Sequence, residues 1–378
     1  MLFGLNPEPY YWAGIALHGI VSILVYFLVF QLTKSSTAAW AAGIFFAAYE
    51  RHHEAIMWIS AANETILTLN CIVFLLLWKR AADSNSRVCL VSAHLMFAAA
   101  LFSKEAAVVL VPIAALQLLL AGYSFRAVLL KSIPLLLLLG TFTFVWLAAA
   151  QRNFFLTDGH YALGWHFVPV YARSLARLVT QMLPLIAAWI VTRRHAASAD
   201  QLSMKPSAVF FAALLAVSIA PYAFLTYLDH IPSRNTYLPS VGLAGLMGIL
   251  FASLYGRWRI GFRRVCVLFL GAIVSANIAY IWLKKEPQFR ERAAPTRELI
   301  QVLNGQDIRD NGRFPVRVCR FPLDAWTFTE AVTRFTPYKA DEIVLTDNCD
   351  VDGIAILEWD QSTGRYITNV TEDEAAVR

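Results

Sequence analysis

Between Glu50 and Glu64 the chain reads Glu-Arg-His-His-Glu-Ala-Ile-Met-Trp-Ile-Ser-Ala-Ala-Asn-Glu, a run of carboxylates, imidazoles and a guanidinium between two apolar segments. Burying such groups in hydrocarbon costs several kcal/mol unless they are paired or wet. A chain that keeps them there builds a polar site at or below the membrane surface. Glu64 lies just inside the second of those apolar segments, and an intramembrane carboxylate is a functional candidate by default. The plainer reading is a Glu near the outer end that pairs with Arg51 or Lys104. His52, His53 and Glu54 supply ligand types for a divalent metal. Three consecutive residues cannot all face one way on a helix, so a metal there needs further ligands. Cationic groups complete the set: Lys104 in Ser103-Lys104-Glu105, Arg234, and Arg173 with Arg177 one helical turn apart. Two guanidinium groups on one helix face, with further fixed cations nearby, suit an anion. Taken singly, each is equally well an interfacial side chain that snorkels to water.

The elements that must position these groups are membrane spans. With 58% hydrophobic and only 15% charged residues, and a mean hydropathy of +0.54, an ordinary soluble protein is excluded. Apolar segments run approximately over 12–33, 38–50, 61–78, 88–103, 105–121, 127–149, 168–192, 207–228, 236–256 and 262–283, which predicts an all-α polytopic protein with about ten transmembrane helices. A full span needs about 20 residues, and the second, fourth and fifth segments fall short. Helices that stop inside the bilayer leave their connections below the interface, which is tolerable only beside a cavity. Those connections are His52-His53-Glu54 and Ser103-Lys104-Glu105.

Alternate connections carry most of the Lys and Arg, among them Lys79, Arg80, Arg87, Arg193, Arg194, Arg257 and Arg259. The others hold only Arg51, Lys104, Arg152 and Arg234. The positive-inside rule makes the first set cytoplasmic and both termini extracytoplasmic. At Lys284 the composition turns charged and turn-rich, giving an expected division into a membrane domain, 1–283, and a soluble domain, 284–378. In the tail a helix is expected near Pro295 to Leu303, with strands at 314–319, 342–346 and 353–359. Asp360 to Gly364 then reads as a hairpin turn into Arg365 to Val370, so the tail is a small α/β module. Cys319 and Cys349 both lie there, where an extracytoplasmic domain would allow a disulfide and the sequence leaves its formation open. Cys71, Cys89 and Cys266 are small hydrophobes in or beside spans.

Phosphate-binding glycine loops, CxxC, HExxH and nucleophile elbows are all absent from the sequence, and so are patches suited to nucleic acid. His18 and His94 read as core histidines within spans, and Trp58 as an interface anchor.

The segment His52-x-Glu54-Ala-x-x-Trp58-Ile59-Ser60 with Glu64 resembles the H-x-E-A-V-x-W-I-S-G-R stretch of type-C (GT-C) membrane glycosyltransferases, closest to the protein O-mannosyltransferase-like group that often carries tetratricopeptide repeats. Three further stretches resemble that group in the same order: Gly4-Leu5-Asn6-Pro7 with Tyr10 and Leu17-His18; Leu101 to Glu105; and Arg234-Asn235-Thr236-Tyr237-Leu238-Pro239-Ser240 with Gly242. Gly164 and His166 match more weakly. The resemblance covers about residues 4 to 245.

It implies transfer of a sugar from a polyprenyl-phosphate carrier to a hydroxyl of an extracytoplasmic protein or glycan acceptor, at a bacterial inner membrane. A lipid-phosphate leaving group needs fixed cations, which makes Lys104, Arg234, Arg173 and Arg177 the candidates. Inversion needs a carboxylate base near the acceptor, with Glu54 and then Glu64 as candidates ahead of Asp158 and Asp229. His52, His53, Glu105, His166 and Tyr237 would line the cavity. Departures from the family pattern are visible. Ala62 stands where the family often has Arg, Tyr49-Glu50 replaces His-Pro, and no tetratricopeptide period is present. The family's catalytic aspartate lies in a large loop after its first span, and this chain starts at what resembles the end of that loop. The expectation is therefore an amino-terminally truncated or non-catalysing form. The alternative is a non-catalytic membrane protein that binds a lipid-linked sugar or scaffolds envelope partners. A transporter is disfavoured because neither an inverted repeat nor paired broken helices stand out.

Overall fold

The computed structural model describes residues 6–150, 161–162, 164–192, 204–226, 229–257, 260–305, 316–339, 341–347 and 356–369. Arg152, Asp158, Arg193, Arg194, Arg259 and Cys349 lie outside the described residues. Two compact units are present, Asn6–Ala279 and one containing Tyr280–Arg378.

The first unit is helical. In chain order its helices are α1 (Glu8–Thr33), α2 (Ser36–Ala48), α3 (His53–Met57), α4 (Ala62–Ser84), α5 (Arg87–Ser103), α6 (Leu110–Leu120), α7 (Phe125–Ala150), α8 (Phe167–Val179), α9 (Leu183–Thr192), α10 (Lys205–Ile219), α11 (Pro239–Arg257) and α12 (Ile260–Tyr280). Among the described residues seven helical stretches are long and apolar enough to cross a membrane: Glu8–Thr33, Ile59–Ser84, Phe125–Ala149, Phe167–Val191, Lys205–Phe224, Pro239–Gly256 and Arg263–Gly305. Ser36–Ala48, Arg87–Ser103 and Glu105–Leu120 are apolar but shorter. Seven helices thus reach the length of a span, and the second, fourth and fifth apolar segments are the short ones, as their lengths in the sequence indicate.

Local chemistry explains where the short helices stop. Ser35 caps α2, its Oγ accepting from Ala38 N at 3.2 Å, and Tyr49 ends the helix in an extended conformation. A helix of 13 residues rises only about 20 Å, short of a hydrocarbon core of about 30 Å. The chain therefore turns at Glu50–His52 into α3 while still within the protein. α5 ends in the same way. Lys104 takes an extended conformation (φ −165°, ψ 142°) with its N–H bonded to Ala100 O, and a tight helical turn, Glu105–Val109, leads into α6.

The core is packed from α1, α2, α4, α10 and α11, with Val25, Phe45, Phe46, Leu67, Phe211 and Leu214 fully or almost fully buried. α11 lies against α2 and α10 with little between the backbones. A Cβ on Gly242 would overlap the backbone of Leu215 and the carbonyl of Phe211, and one on Gly248 would overlap the carbonyl of Ala38. Small residues at such spacing let membrane helices approach closely, where packing rather than water exclusion holds them. A side-chain amide fixes the turn after α2: Asn277 Oδ1 accepts from Glu50 N at 3.0 Å and from Gln181 Nε2 at 3.2 Å, and its Nδ2 donates to Gln181 Oε1 at 3.1 Å.

In the second unit α13 (Glu286–Gly305) and α14 (Ala325–Phe335) accompany a four-stranded sheet of β1 (Val316–Cys319), β2 (Ile343–Thr346), β3 (Ile356–Asp360) and β4 (Arg365–Asn369), ordered β2-β1-β3-β4. β1 is parallel to β2 and β3, and β3 pairs antiparallel with β4, Trp359 opposite Tyr366. The hairpin falls at Asp360–Gly364 as expected, with Gly364 at φ 65° and the Asp360 carboxylate accepting from Ser362 and Thr363. The helix α14 escaped the sequence reading, although its signal was present: Asp324 caps it through Thr327 N at 2.8 Å, and Phe328, Ala331 and Val332 repeat at helical spacing. Cys319 is disulfide-bonded, whereas Cys71, Cys89 and Cys266 are free.

Candidate functional site

Three breaks in the helical packing meet at one place: the α2–α4 connection, the α5–α6 turn, and the short helical turn Arg234–Thr236 that precedes α11. Glu64, in the first turn of α4, is 1% exposed and pairs with Lys104 through Oε1, while Oε2 accepts from the Tyr222 hydroxyl at 3.0 Å. Lys104 Nζ also lies 3.4 Å from Asn235 Oδ1 and 4.9 Å from the centre of the Tyr222 ring. Of the partners considered for Glu64, Lys104 is the one engaged; Arg51 pairs instead with Glu50 at 3.4 Å. Both Glu64 oxygens are thus occupied, which holds the carboxylate in a fixed geometry.

The neighbouring contact ties α3 to the Arg234 turn. Glu54 Oε2 accepts from the backbone N of Arg234 at 3.1 Å and lies 4.0 Å from its guanidinium. That guanidinium stacks over the Trp58 ring, 4.6 Å from its centre. Trp58 is therefore more than an interface anchor, since a cation over an indole face is attracted by the ring quadrupole. Between these groups lies a cavity of about 140 Å³ lined by Trp58, Ser60, Ala61, Asn63, Glu64, Lys104 and Arg234. Two cations and a buried carboxylate thus share the lining of one cavity.

A chain of rings underlies this site. Tyr237 donates its hydroxyl proton to His18 Nδ1 at 2.6 Å, because His18 Nε2 must carry the proton it gives to Ala47 O at 3.1 Å. Ser240 spends its proton on Tyr237 O at 2.6 Å, so His52 Nε2 donates to Ser240 Oγ at 2.7 Å. His52 packs against Tyr237 with ring centres 4.6 Å apart. His18 is a satisfied core histidine, as its isolated position in the sequence indicates.

Of the residues singled out in the sequence, Glu64, Lys104 and Arg234 line the cavity and Glu54 reaches it through Arg234. His52, His53 and Tyr237 are buried, His53 bonding Glu50 O through Nδ1 at 2.6 Å. None of these three is among the residues that line the cavity, and neither are four others. Arg173 is exposed and pairs with the still more exposed Asp229 at 3.5 Å. Arg177 is half-buried, Glu105 is exposed, and His166 bonds Phe224 O at 3.2 Å. Tyr222 and Asn235 were missed; a lone tyrosine in an apolar run and an asparagine beside an arginine carry no spacing signal. Among the described residues no three His, Cys, Asp or Glu side chains converge to hold a metal.

Residues 1–149 match the family model described as dolichyl-phosphate-mannose-protein mannosyltransferase. That interval holds the Glu50–Glu64 stretch, Lys104 and Glu105, whereas Tyr222 and Arg234 lie beyond it. No curated protein and no solved structure matches the chain. The apolar helices make it a multi-pass membrane protein, and over its first 149 residues it is similar to the GT-C glycosyltransferases in the way its motifs indicate.

Proposed function

We propose that the chain binds a polyprenyl-phosphate-linked sugar in the cavity between Lys104, Arg234 and Trp58, as the donor site of a GT-C-type transfer to an extracytoplasmic hydroxyl on a protein or glycan. The observation that carries this is the convergence of the two cations on one cavity, in a chain whose amino-terminal part matches a family acting on a lipid-phosphate sugar. A departing lipid phosphate gains charge, and preoriented cations in a water-poor site favour that charge over the bound ester. Lys104 is held by Glu64, Tyr222 and Asn235, so it meets the phosphate without first being ordered. Arg234, with 28% of its side chain exposed, supplies a planar donor fork suited to phosphate.

The two carboxylates divide in role. Glu64, with both oxygens engaged, positions Lys104. Glu54 uses only Oε2 in its bonds to Arg234 and is the better candidate for a base. A second reading, binding without catalysis, draws on the same observation: the most deeply buried carboxylate is committed to a lysine.

Titration of the purified protein with polyprenyl phosphate tests the donor site. Arg234→Gln leaves the Lys104–Glu64 pair intact and is expected to weaken binding about tenfold, the loss of one charge-assisted contact. The pair Lys104→Ala with Glu64→Gln removes the second cation without stranding a carboxylate, and should weaken binding further. Unchanged affinity in both would remove the phosphate assignment. Sugar transfer that survives Glu54→Gln would remove Glu54 as base.

A further inference from the structure

A second cavity, of about 300 Å³, lies at the other end of α4, lined by Trp78, Ala81, Ala82, Asn85, Ser86, Arg87, Leu90, Leu118 and Lys131. Its floor is apolar and closed: Trp78 and Leu118 are 2% and 1% exposed. The polar atoms around that floor already have partners, Trp78 Nε1 donating to Ala114 O at 3.2 Å and the Tyr123 hydroxyl to Ala82 O at 2.7 Å. Its rim is cationic. Lys131 stands over the Tyr123 ring at 5.4 Å, and Arg87 begins α5. Among the described residues no carboxylate lines the cavity, and the nearest acid in sequence, Asp83, is taken by Lys79 one turn earlier. Ser86 Oγ accepts from Cys89 N, and Leu90 N bonds Ser86 O. The N–H groups of Arg87 and Val88 at the helix start have no acceptor within the helix.

The position fits a membrane ligand. Glu64 and Asn85 stand at opposite ends of α4, separated by about 30 Å of helix rise, close to the thickness of a hydrocarbon core. A cavity at Asn85 therefore sits at the interface opposite the Lys104 site, at the depth of lipid headgroups. By the distribution of Lys and Arg that interface is the cytoplasmic one. Basic pockets between helices on that side attract anionic headgroups.

We propose that this cavity is a binding site for an anionic phospholipid of the cytoplasmic leaflet, with Arg87, Lys131 and the start of α5 on the phosphate and Leu90, Trp78 and Leu118 against the adjoining chain. The shared chemistry is phosphate recognition, and the apolar floor favours a lipid over a soluble phosphate.

Native mass spectrometry of the detergent-purified full chain, titrated with dioleoylphosphatidylglycerol, tests this. Saturable binding is expected, with dioleoylphosphatidylcholine bound more weakly. Arg87→Gln should weaken the phosphatidylglycerol affinity about 5-fold, and Arg87→Gln with Lys131→Gln roughly 25-fold, at about 1 kcal/mol for each basic residue near the surface. Arg87→Lys with Lys131→Arg should restore it. Wild-type affinity in the doubly neutralised variant, or equal binding of the two lipids, would each overturn the proposal. Displacement of the lipid by millimolar inorganic phosphate would reassign the cavity to a soluble anion and overturn the lipid assignment.

Discussion

At the scale of single residues, the Glu64–Lys104 pair is the strongest constraint in the candidate site. Glu64 is almost fully buried, so truncating Lys104 to Ala strands a carboxylate and should destabilise the protein by about 3–5 kcal/mol. Replacing both partners by apolar residues of similar volume should cost far less. Thermal unfolding of the two variants in one detergent measures the difference, and equal losses would show that the pair is not coupled. Two tail aspartates make a pH prediction. The Asp324 carboxyl is held below the usual range by the Thr327 N–H and then its hydroxyl, and Asp360 by the Ser362 and Thr363 hydroxyls. A depressed folded value means that their stabilisation is complete above the unfolded Asp value of about 3.9 and disappears as pH falls through the lower folded values. Protection of the Thr327 and Ser362 amides against hydrogen exchange should stay flat from pH 8 to about 5 and fall only in stronger acid. Asp324→Ala should lower the Thr327 protection above about pH 5 and converge with the parent in stronger acid.

At the scale of elements, the site exists because helices stop early. α2 and α5 end below the length of a span, and their connections carry Glu54 and Lys104 inward; Pro221 lies in the tight turn Ala220–Phe224 that brings Tyr222 to Glu64. α11 delivers Arg234 and Asn235 from its leading turn, and its register against α2 and α10 is set by glycine. Gly248→Leu should force α11 away from the Ala38 carbonyl, with a loss of about 1–3 kcal/mol or more from overpacking. Gly256, whose Cβ would meet nothing within 4 Å, is the matched control. A lower melting temperature and weaker polyprenyl phosphate binding are expected for the first variant alone. Equal behaviour of the two would mean that the close approach is dispensable.

At the scale of the whole molecule, sidedness joins the two proposed sites. From the Lys and Arg distribution we propose an extracytoplasmic Lys104 cavity, a cytoplasmic Arg87 cavity and an extracytoplasmic carboxyl terminus. The bonded Cys319 agrees with an oxidising compartment for the tail. Alkaline phosphatase fused after Arg378 should therefore be active in a bacterial host, and a fluorescent protein that folds only in the cytoplasm should be dark there. The reverse pattern would invert the orientation and exchange the leaflets of both sites.

Taken alone, the sequence determined the membrane class, the short second, fourth and fifth helices, the tail hairpin at Asp360–Gly364 and the family likeness, because hydropathy, length and turn chemistry are local properties. It singled out Glu54, Glu64, Lys104 and Arg234 because a charge beside hydrocarbon needs a reason wherever it stands. The tertiary structure decided which of these meet. It gave Lys104 to Glu64 rather than Arg51, set Trp58 under Arg234, brought Tyr222 and Asn235 to the same point, and left Arg173 in an exposed pair with Asp229. Those pairings join residues 40 to 176 positions apart. They depend on how α4, α5, α10 and α11 pack, and packing is a relation between segments that no local pattern in either one contains.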